Sequence, residues 1–311
     1  MNRRALGAVL AAAVLAGAAL AAGCGGGPSP VVVGGKNFTE QDILGEIVAT
    51  WIERTTDIPV RRKLHLGGTF VCHRALVSGD LDVYVEYTGT ALTAILDRPP
   101  GHDPDSVFRA VRTAYERRWG LTWTEPLGFD NSFVILVRRS TADSLGLHAI
   151  SDLVRYDDRL VPGFGYEFVQ REDGLPGLRR TYGLHFTHTP KAMELGLVYR
   201  ALADGQIDVT AGNATDGQID ELDLVRLDDD RSFFPPYRAA PVVRQAALKR
   251  HPALMEALRR LGGRISTAEM RSLNRRVDVD GEGYRKVAHD WVSRQLAASG
   301  PDGRPDSVGR R

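Results

Sequence analysis

Two polar turns stand at the start of apolar-periodic stretches: Gly35-Lys36-Asn37-Phe38-Thr39-Glu40 and Gly67-Gly68-Thr69. A helix opening on such a turn presents unpaired backbone N–H groups, which suit an anionic group. Further clusters mix polar, aromatic and glycine residues too specifically for scaffold alone. They are the run DVYVEYTGT from Asp82 to Thr90, GFDNSF from Gly128 to Phe133, and REDG from Arg171 to Gly174. GNATDG from Gly212 to Gly217 and FFPPY from Phe233 to Tyr237 complete the set. None of them spells an enzyme. The chain has no G-x-S-x-G elbow, no H-E-x-x-H, no Walker-type phosphate loop and no C-x-x-C. Gly163-Phe164-Gly165 lacks the further glycine of a dinucleotide loop. His185 and His188 are three apart in a segment, Leu184 to Thr187, that reads as a strand; alternation would point them to opposite faces. No metal, no cofactor and no catalytic residue are therefore expected. Asp157-Asp158 and Asp228-Asp229-Asp230 read as solvated turns.

The clusters need elements to position them, and the sequence alternates strand-like and helix-like patterns from Val31 onward. Val31 to Val33 is a short apolar run. Asn37 and Thr39 then offer N-caps, each with an acidic residue three places on, Glu40 and Asp42. Ile43, Ile47, Val48, Trp51 and Ile52 follow at helical spacing. A strand over Val60 to Leu66, a helix through Phe70 and Leu76, and a strand over Leu81 to Val85 complete a β–α–β–α–β order. That order implies a parallel sheet covered by helices. Further strands are expected near Phe133–Val137, Leu184–Thr187, Ile207–Thr210 and Leu224–Leu227, with a helix-rich stretch after Pro235-Pro236. ALVSGDLDVY (Ala75 to Tyr84) and ALADGQIDVT (Ala201 to Thr210) echo each other, each reading as a helix that ends at Gly before a strand. The echo supports the fold class; helix–Gly–strand units also look alike without common ancestry.

Composition sets the outer bounds. The 311 residues, at roughly 150 per domain, suggest two lobes. With 43% hydrophobic and 25% charged residues the chain is an ordinary globular one, not disordered, collagenous or coiled-coil. Lys+Arg number 40 against 39 Asp+Glu, so nothing in the net charge of +1 points to nucleic acid. Met1-Asn2-Arg3-Arg4 and the apolar run Ala5 to Ala22 read as a secretory signal peptide over residues 1–23; a permanent span is the competing reading. Ala21-Ala22-Gly23-Cys24 resembles a bacterial lipobox, although Ala21 stands where Leu is usual. Lipid on Cys24 would hold the domain at a membrane surface, with residues 24–30 as tether. Cys72, the other cysteine, is expected to be a buried thiol. The tail, 299–311, is Gly, Pro and charge, and reads as disordered.

Taken together, G-K-N-F-T-E, D-V-Y-V-E-Y-T-G-T, R-E-D-G-L-P-G-L and F-F-P-P-Y with P-V-V-R ending at Arg244 resemble one family. It is the substrate-binding proteins of osmoprotectant ABC importers, which bind glycine betaine, choline and related quaternary amines. The resemblance runs from about Val31 to Leu296. It implies an α/β, two-lobed periplasmic-binding-protein fold of type II character, with the ligand between the lobes. Lobe 1 would combine residues 31–130 with 236–298 and lobe 2 would be 131–235, with hinge crossings near Asp130 and Pro235. The resemblance places Tyr87 and Tyr237 in an aromatic cage, with Phe133 at a further cage position that is commonly Tyr. Lys36, Thr90 and Arg171 would take polar or carboxylate-binding roles, and Asn131 joins the ligand-binding set. Asn213 departs from the pattern, because the residue before Ala-Thr-Asp is usually aromatic in choline and betaine binders. An amide offers one acceptor and two donors but no cation–π face. The expected partners are a permease and a separate ATPase, with the protein outside the cytoplasm and anchored through Cys24. A sensor without import, or a binder of another amine, betaine derivative or amino acid, is the alternative.

Overall fold

In the computed structural model, residues 29–298 are described. The expected signal peptide, Cys24 and the tail 299–311 lie outside them, as does the tether before Ser29. β1 (Val31–Gly34) leads through the polar turn into α1 (Thr39–Thr55). Glu40 and Asp42 stand in the first turn of α1 and Arg54 in its last, the charge order the helix dipole favours. The expected caps are not used. Phe38 is the N-cap residue, in extended conformation, and Thr39 Oγ1 donates instead to Asp278 Oδ1 at 2.6 Å. Asn37 is turned to the wall of a cavity. Ile43, Leu44, Ile47, Val48, Trp51 and Ile52 are all fully buried, so α1 is a core helix rather than a surface one. At about 1.5–3 kcal/mol per fully buried large apolar side chain, this one helix is a principal source of stability.

β2 (Val60–Lys63) stops short of the expected Leu66, because His65 takes a left-handed φ of 56°. α2 (Thr69–Ser78) ends at Gly79, whose φ of 94° suits glycine. β3 (Val83–Tyr87), α3 (Pro104–Trp119) and β4 (Leu121–Trp123) follow. The next half of the chain holds β5 (Phe133–Arg138), β6 (Gly163–Gly165), α4 (Tyr166–Gln170), α5 (Leu175–Tyr182) and β7 (Lys191–Met193). It continues with α6 (Leu195–Ala203), β8 (Val209–Asn213) and β9 (Leu224–Leu227). The chain then returns as β10 (Ala239–Arg244), α7 (Ala253–Arg260), α8 (Thr267–Asp278) and α9 (Tyr284–Ala298).

Among the described residues two larger sheets and one two-stranded sheet result, in a mixed α/β fold. The first has the order β2-β1-β3-β10-β4. β1 runs parallel to β2 and β3, as the β–α–β–α–β pattern requires, but β10 inserts antiparallel between β3 and β4. So the sheet is mixed, and the stretch after Pro235-Pro236 is not helical from its start. Pro241, which lacks a ladder donor, argues against a central strand in the sequence. The second sheet is antiparallel, order β8-β5-β9, and β6 pairs with β7 beside it. No strand forms at Leu184–Thr187; His185 is in a loop, where its backbone N–H donates to Asp157 Oδ2 at 2.6 Å. Strand alternation therefore does not separate His185 from His188. Among the described residues no group of three or more His, Cys, Asp or Glu is placed to hold a metal. Asp229 is not a merely solvated turn residue either: it accepts from the backbone of Phe233 and Phe234 at 2.8 and 2.9 Å and from the Tyr182 hydroxyl.

The sequence echo is a structural one. Gly79 and Gly205 both take positive φ, at 94° and 73°. Asp82 Oδ2 then accepts from Val32 N at 3.0 Å while Asp82 N donates to Val32 O at 2.8 Å. Asp208 does the same with Val161, at 2.9 and 2.7 Å. Each carboxylate also takes an arginine, Arg250 on Asp82 and Arg138 on Asp208. The same Gly-x-x-Asp clamp thus locks a strand in each half of the chain. The chain passes between the two larger sheets twice, side by side: Asp130 and Arg238 form an antiparallel bridge, and Tyr237 N donates to Asp130 Oδ2 at 2.8 Å.

Candidate ligand-binding cleft

Lys36, Tyr87, Thr90, Asn131, Phe133, Arg171, Asn213 and Tyr237 all line one cavity of about 130 Å³. An apolar cavity of about 150 Å³ admits benzene, so this space is of the size that takes a small organic solute. The residues come from the turn after β1 (Lys36), from the end of β3 and the helical turn after it (Tyr87, Thr90), from β5 and β8 (Phe133, Asn213), from the end of α4 (Arg171) and from the two passages between the sheets (Asn131, Tyr237). Sequence reasoning missed Phe38, Tyr166 and Phe168, which bring the aromatic lining to six rings, as well as Glu167 and Glu194. Phe38 stood inside the G-K-N-F-T-E cluster, and a helix opening after Gly163-Phe164-Gly165 was the available signal for the others.

The rings are held from behind. Tyr87 OH donates to Glu40 Oε1 at 2.7 Å and accepts from Gln41 Nε2 at 3.0 Å. Tyr237 OH donates to Asp173 Oδ2 at 2.6 Å. Phe133 meets Tyr237 and Phe168 edge-on, with centroids 5.4 and 5.1 Å apart. Burial pushes both tyrosine hydroxyls well above their usual range, and the neighbouring carboxylates add to it, so both stay protonated donors.

Both cations of the site are buried and already paired. Lys36 Nζ lies 2.6 Å from Glu86 Oε1 and 2.9 Å from Thr69 Oγ1. Arg171 donates from Nε and Nη2 to the two oxygens of Asp173, at 2.8 and 2.5 Å, and from Nη2 to Thr90 Oγ1 at 3.0 Å. Burial alone would raise the Asp173 carboxyl, but the Arg171 charge, its hydrogen bonds and the Tyr237 hydroxyl outweigh it and hold it below the usual range. Asn213 pairs with Asp216, whose Oδ2 accepts from its backbone N at 3.0 Å and its Nδ2 at 3.1 Å. Burial pushes Asp216 up to about 7 against the opposing Tyr199 hydrogen bond.

Behind the cavity sits Glu40. It accepts from Tyr87, from Asn131 Nδ2 at 2.8 Å, from Asn274 Nδ2 at 2.9 Å and from the Thr215 hydroxyl. Burial raises its pKa while these donors oppose the rise. Cys72 is buried as expected, and burial pushes its thiol up to about 12, so it is not a reactive thiolate. Among the described residues no helix is long and apolar enough to cross a membrane.

A cavity walled by aromatic faces, with buried polar groups converging from the elements of both larger sheets, suits the binding of a small organic molecule. The chain belongs to the substrate-binding domain family of the ABC-type glycine betaine transport system, whose model matches residues 29–294. It is 36% identical over 259 residues to the carnitine transport binding protein OpuCC of Listeria monocytogenes, covering 82% of this chain and 84% of that one. It is 35% identical over 266 residues to the ergothioneine transport permease/ergothioneine binding protein EgtU of Helicobacter pylori, covering 85% of this chain and 47% of that one. A solved glycine betaine/carnitine/choline ABC transporter structure superposes with a TM-score of 0.69 at 33% identity, over 86% of this chain and 98% of that one. Members of the family are transport binding proteins, not enzymes.

Proposed function

We propose that the protein captures a small quaternary amine outside the cytoplasm and delivers it to an ABC permease driven by a separate ATPase. The convergence of six aromatic rings on one cavity carries the reading. A trimethylammonium group cannot donate an N–H hydrogen bond, and aromatic faces attract it by about 0.5–1 kcal/mol at exposed sites and by about 2 kcal/mol or more where water is excluded. The eight expected residues act as the ligand site: Tyr87, Phe133 and Tyr237 as cage walls, and Lys36, Thr90, Asn131, Arg171 and Asn213 as its polar frame. Residues 31–130 with 236–298 and residues 131–235 act as two lobes that close on the ligand about the crossings at Asp130 and Pro235, since only a closed form touches it from both sides. Lipid on Cys24 anchors the protein at the outer face of the membrane. Isothermal calorimetry of the mature domain with choline, glycine betaine, carnitine, ergothioneine and control amino acids tests the reading. Saturable binding of at least one quaternary amine, lost in Tyr87→Ala, is expected. Binding of amino acids alone would refute it.

A further inference from the structure

The opening of α2 offers a backbone N–H and a hydroxyl to an anion, and both are already taken. Glu167, on α4, reaches across the cavity and sets Oε1 2.5 Å from Thr69 N and Oε2 3.0 Å from Thr69 Oγ1. The same carboxylate lies 3.4 Å from Arg171 Nη1. Gly68 makes the approach possible, because a Cβ there would stand 2.1 Å from Glu167 Oε1. Glu167 therefore occupies the place where a backbone donor, a hydroxyl and a guanidinium converge, the set that a ligand's carboxylate would seek. The remaining cationic capacity is also committed, since Lys36 is paired with Glu86 and Arg171 with Asp173. Exposed Glu194 adds another carboxylate to the lining. Two cations thus face four carboxylates around one small cavity.

We propose that Glu167 is the protein's internal stand-in for a ligand carboxylate and sets specificity: the cavity takes a quaternary amine with net positive charge and no carboxylate, such as choline, over a zwitterionic betaine. The inference rests on the quaternary-amine reading above and deepens it. A cation entering the cavity meets aromatic faces and an excess of carboxylates. A betaine brings a further carboxylate, which must displace Glu167 from Thr69 and Arg171 or lie against it.

The test compares choline with glycine betaine, which share the trimethylammonium group and differ in hydroxyl against carboxylate. Calorimetry on the wild-type domain is expected to give choline at least tenfold the affinity of glycine betaine. Glu167→Ala vacates the anion position, and the preference should narrow by tenfold or more, chiefly through tighter betaine binding. Glu167→Gln keeps an acceptor for Thr69 N but removes the charge, and should narrow the preference in the same direction. It also serves if the alanine variant does not fold, as judged by circular dichroism. Wild-type protein that prefers betaine, or variants that both keep the wild-type ratio, would overturn the inference and leave the quaternary-amine reading standing. Failure of every quaternary amine to bind would overturn that reading and this inference with it.

Discussion

Removing Asp173 separates what the Arg171 pair does for stability from what it does for binding. Arg171 and Asp173 are 6% and 1% exposed, and their contact is bidentate. Such a pair contributes little net stability, because the desolvation of both ions offsets their attraction. Breaking it is another matter. Asp173→Ala leaves a buried guanidinium with Thr90 and the longer contact to Glu167, and leaves Tyr237 OH without its acceptor. Losing one partner of a buried pair costs about 3–5 kcal/mol. At about 2–4 °C per kcal/mol for a chain near this size, Tm should fall by roughly 6–20 °C. The double variant Arg171→Met/Asp173→Leu removes both charges, and should recover most of that loss. The double variant should bind ligand more weakly than wild type, because Tyr237 OH loses the acceptor that orients its ring and Arg171 leaves the polar frame. Urea unfolding followed by circular dichroism, with calorimetry on the folded variants, measures both effects. If Asp173→Ala lies within about 1 kcal/mol of wild type, or the double variant is as unstable as the single one, the buried-pair reasoning is wrong.

Two further outcomes follow from neighbouring groups. Asp216 is pushed up from an ordinary carboxylate to about 7, so the folded state holds its proton where the unfolded chain has lost it. Its contribution to stability is thus complete below about pH 4 and declines as pH rises toward 7; in Asp216→Asn, denaturant melts between pH 4 and 7 should show that decline removed, and an unchanged slope would count against the assignment. Asn213→Tyr places a ring where the cage has an amide, while leaving the backbone N–H that Asp216 accepts from. Affinity for the bound quaternary amine should rise between about twofold and thirtyfold, the range for one more cation–π face; calorimetry showing no gain in a folded variant would mean that position 213 does not face the ammonium group.

The cage and its frame were legible because their chemistry is written in residue type. Tyr87, Phe133 and Tyr237 are aromatic residues in polar, Gly- or Pro-marked clusters, and all line the cavity. The first three strands were legible from short apolar runs between helix-period stretches. β10 was not, because Pro241 denies the ladder a donor and a short helix, Gln245–Arg250, follows it directly. Leu184–Thr187 misled in the opposite direction: Leu184 and Phe186 are buried, and a loop that packs alternate residues inward has the periodicity of a strand. Partner identity was beyond reach altogether. Lys36 and Glu86 are 50 positions apart, and Glu40 and Asn274 are 234 apart. A sequence shows that such groups exist, whereas only the fold shows that each cation is neutralised before a ligand arrives.

That prior neutralisation bears on how the site gains affinity. A flexible lysine or arginine that must order around a ligand loses about 0.5–1.5 kcal/mol of freedom per side chain. Here Lys36 is fixed by Glu86 and Thr69, and Arg171 by Asp173 and Thr90, so little of that cost remains. The rings are fixed by the same means, Tyr87 through Glu40 and Gln41 and Tyr237 through Asp173. One carboxylate, Asp173, orients both a cation and a cage wall, and another, Glu40, ties a cage wall to Asn131, Thr215 and Asn274. The charges are thus arranged to hold aromatic faces in place. Such a frame recognises a ligand by the shape and cationic character of its methylated head, and it leaves the choice among such ligands to the lining carboxylates, Glu167 held on Thr69 and Arg171 and exposed Glu194.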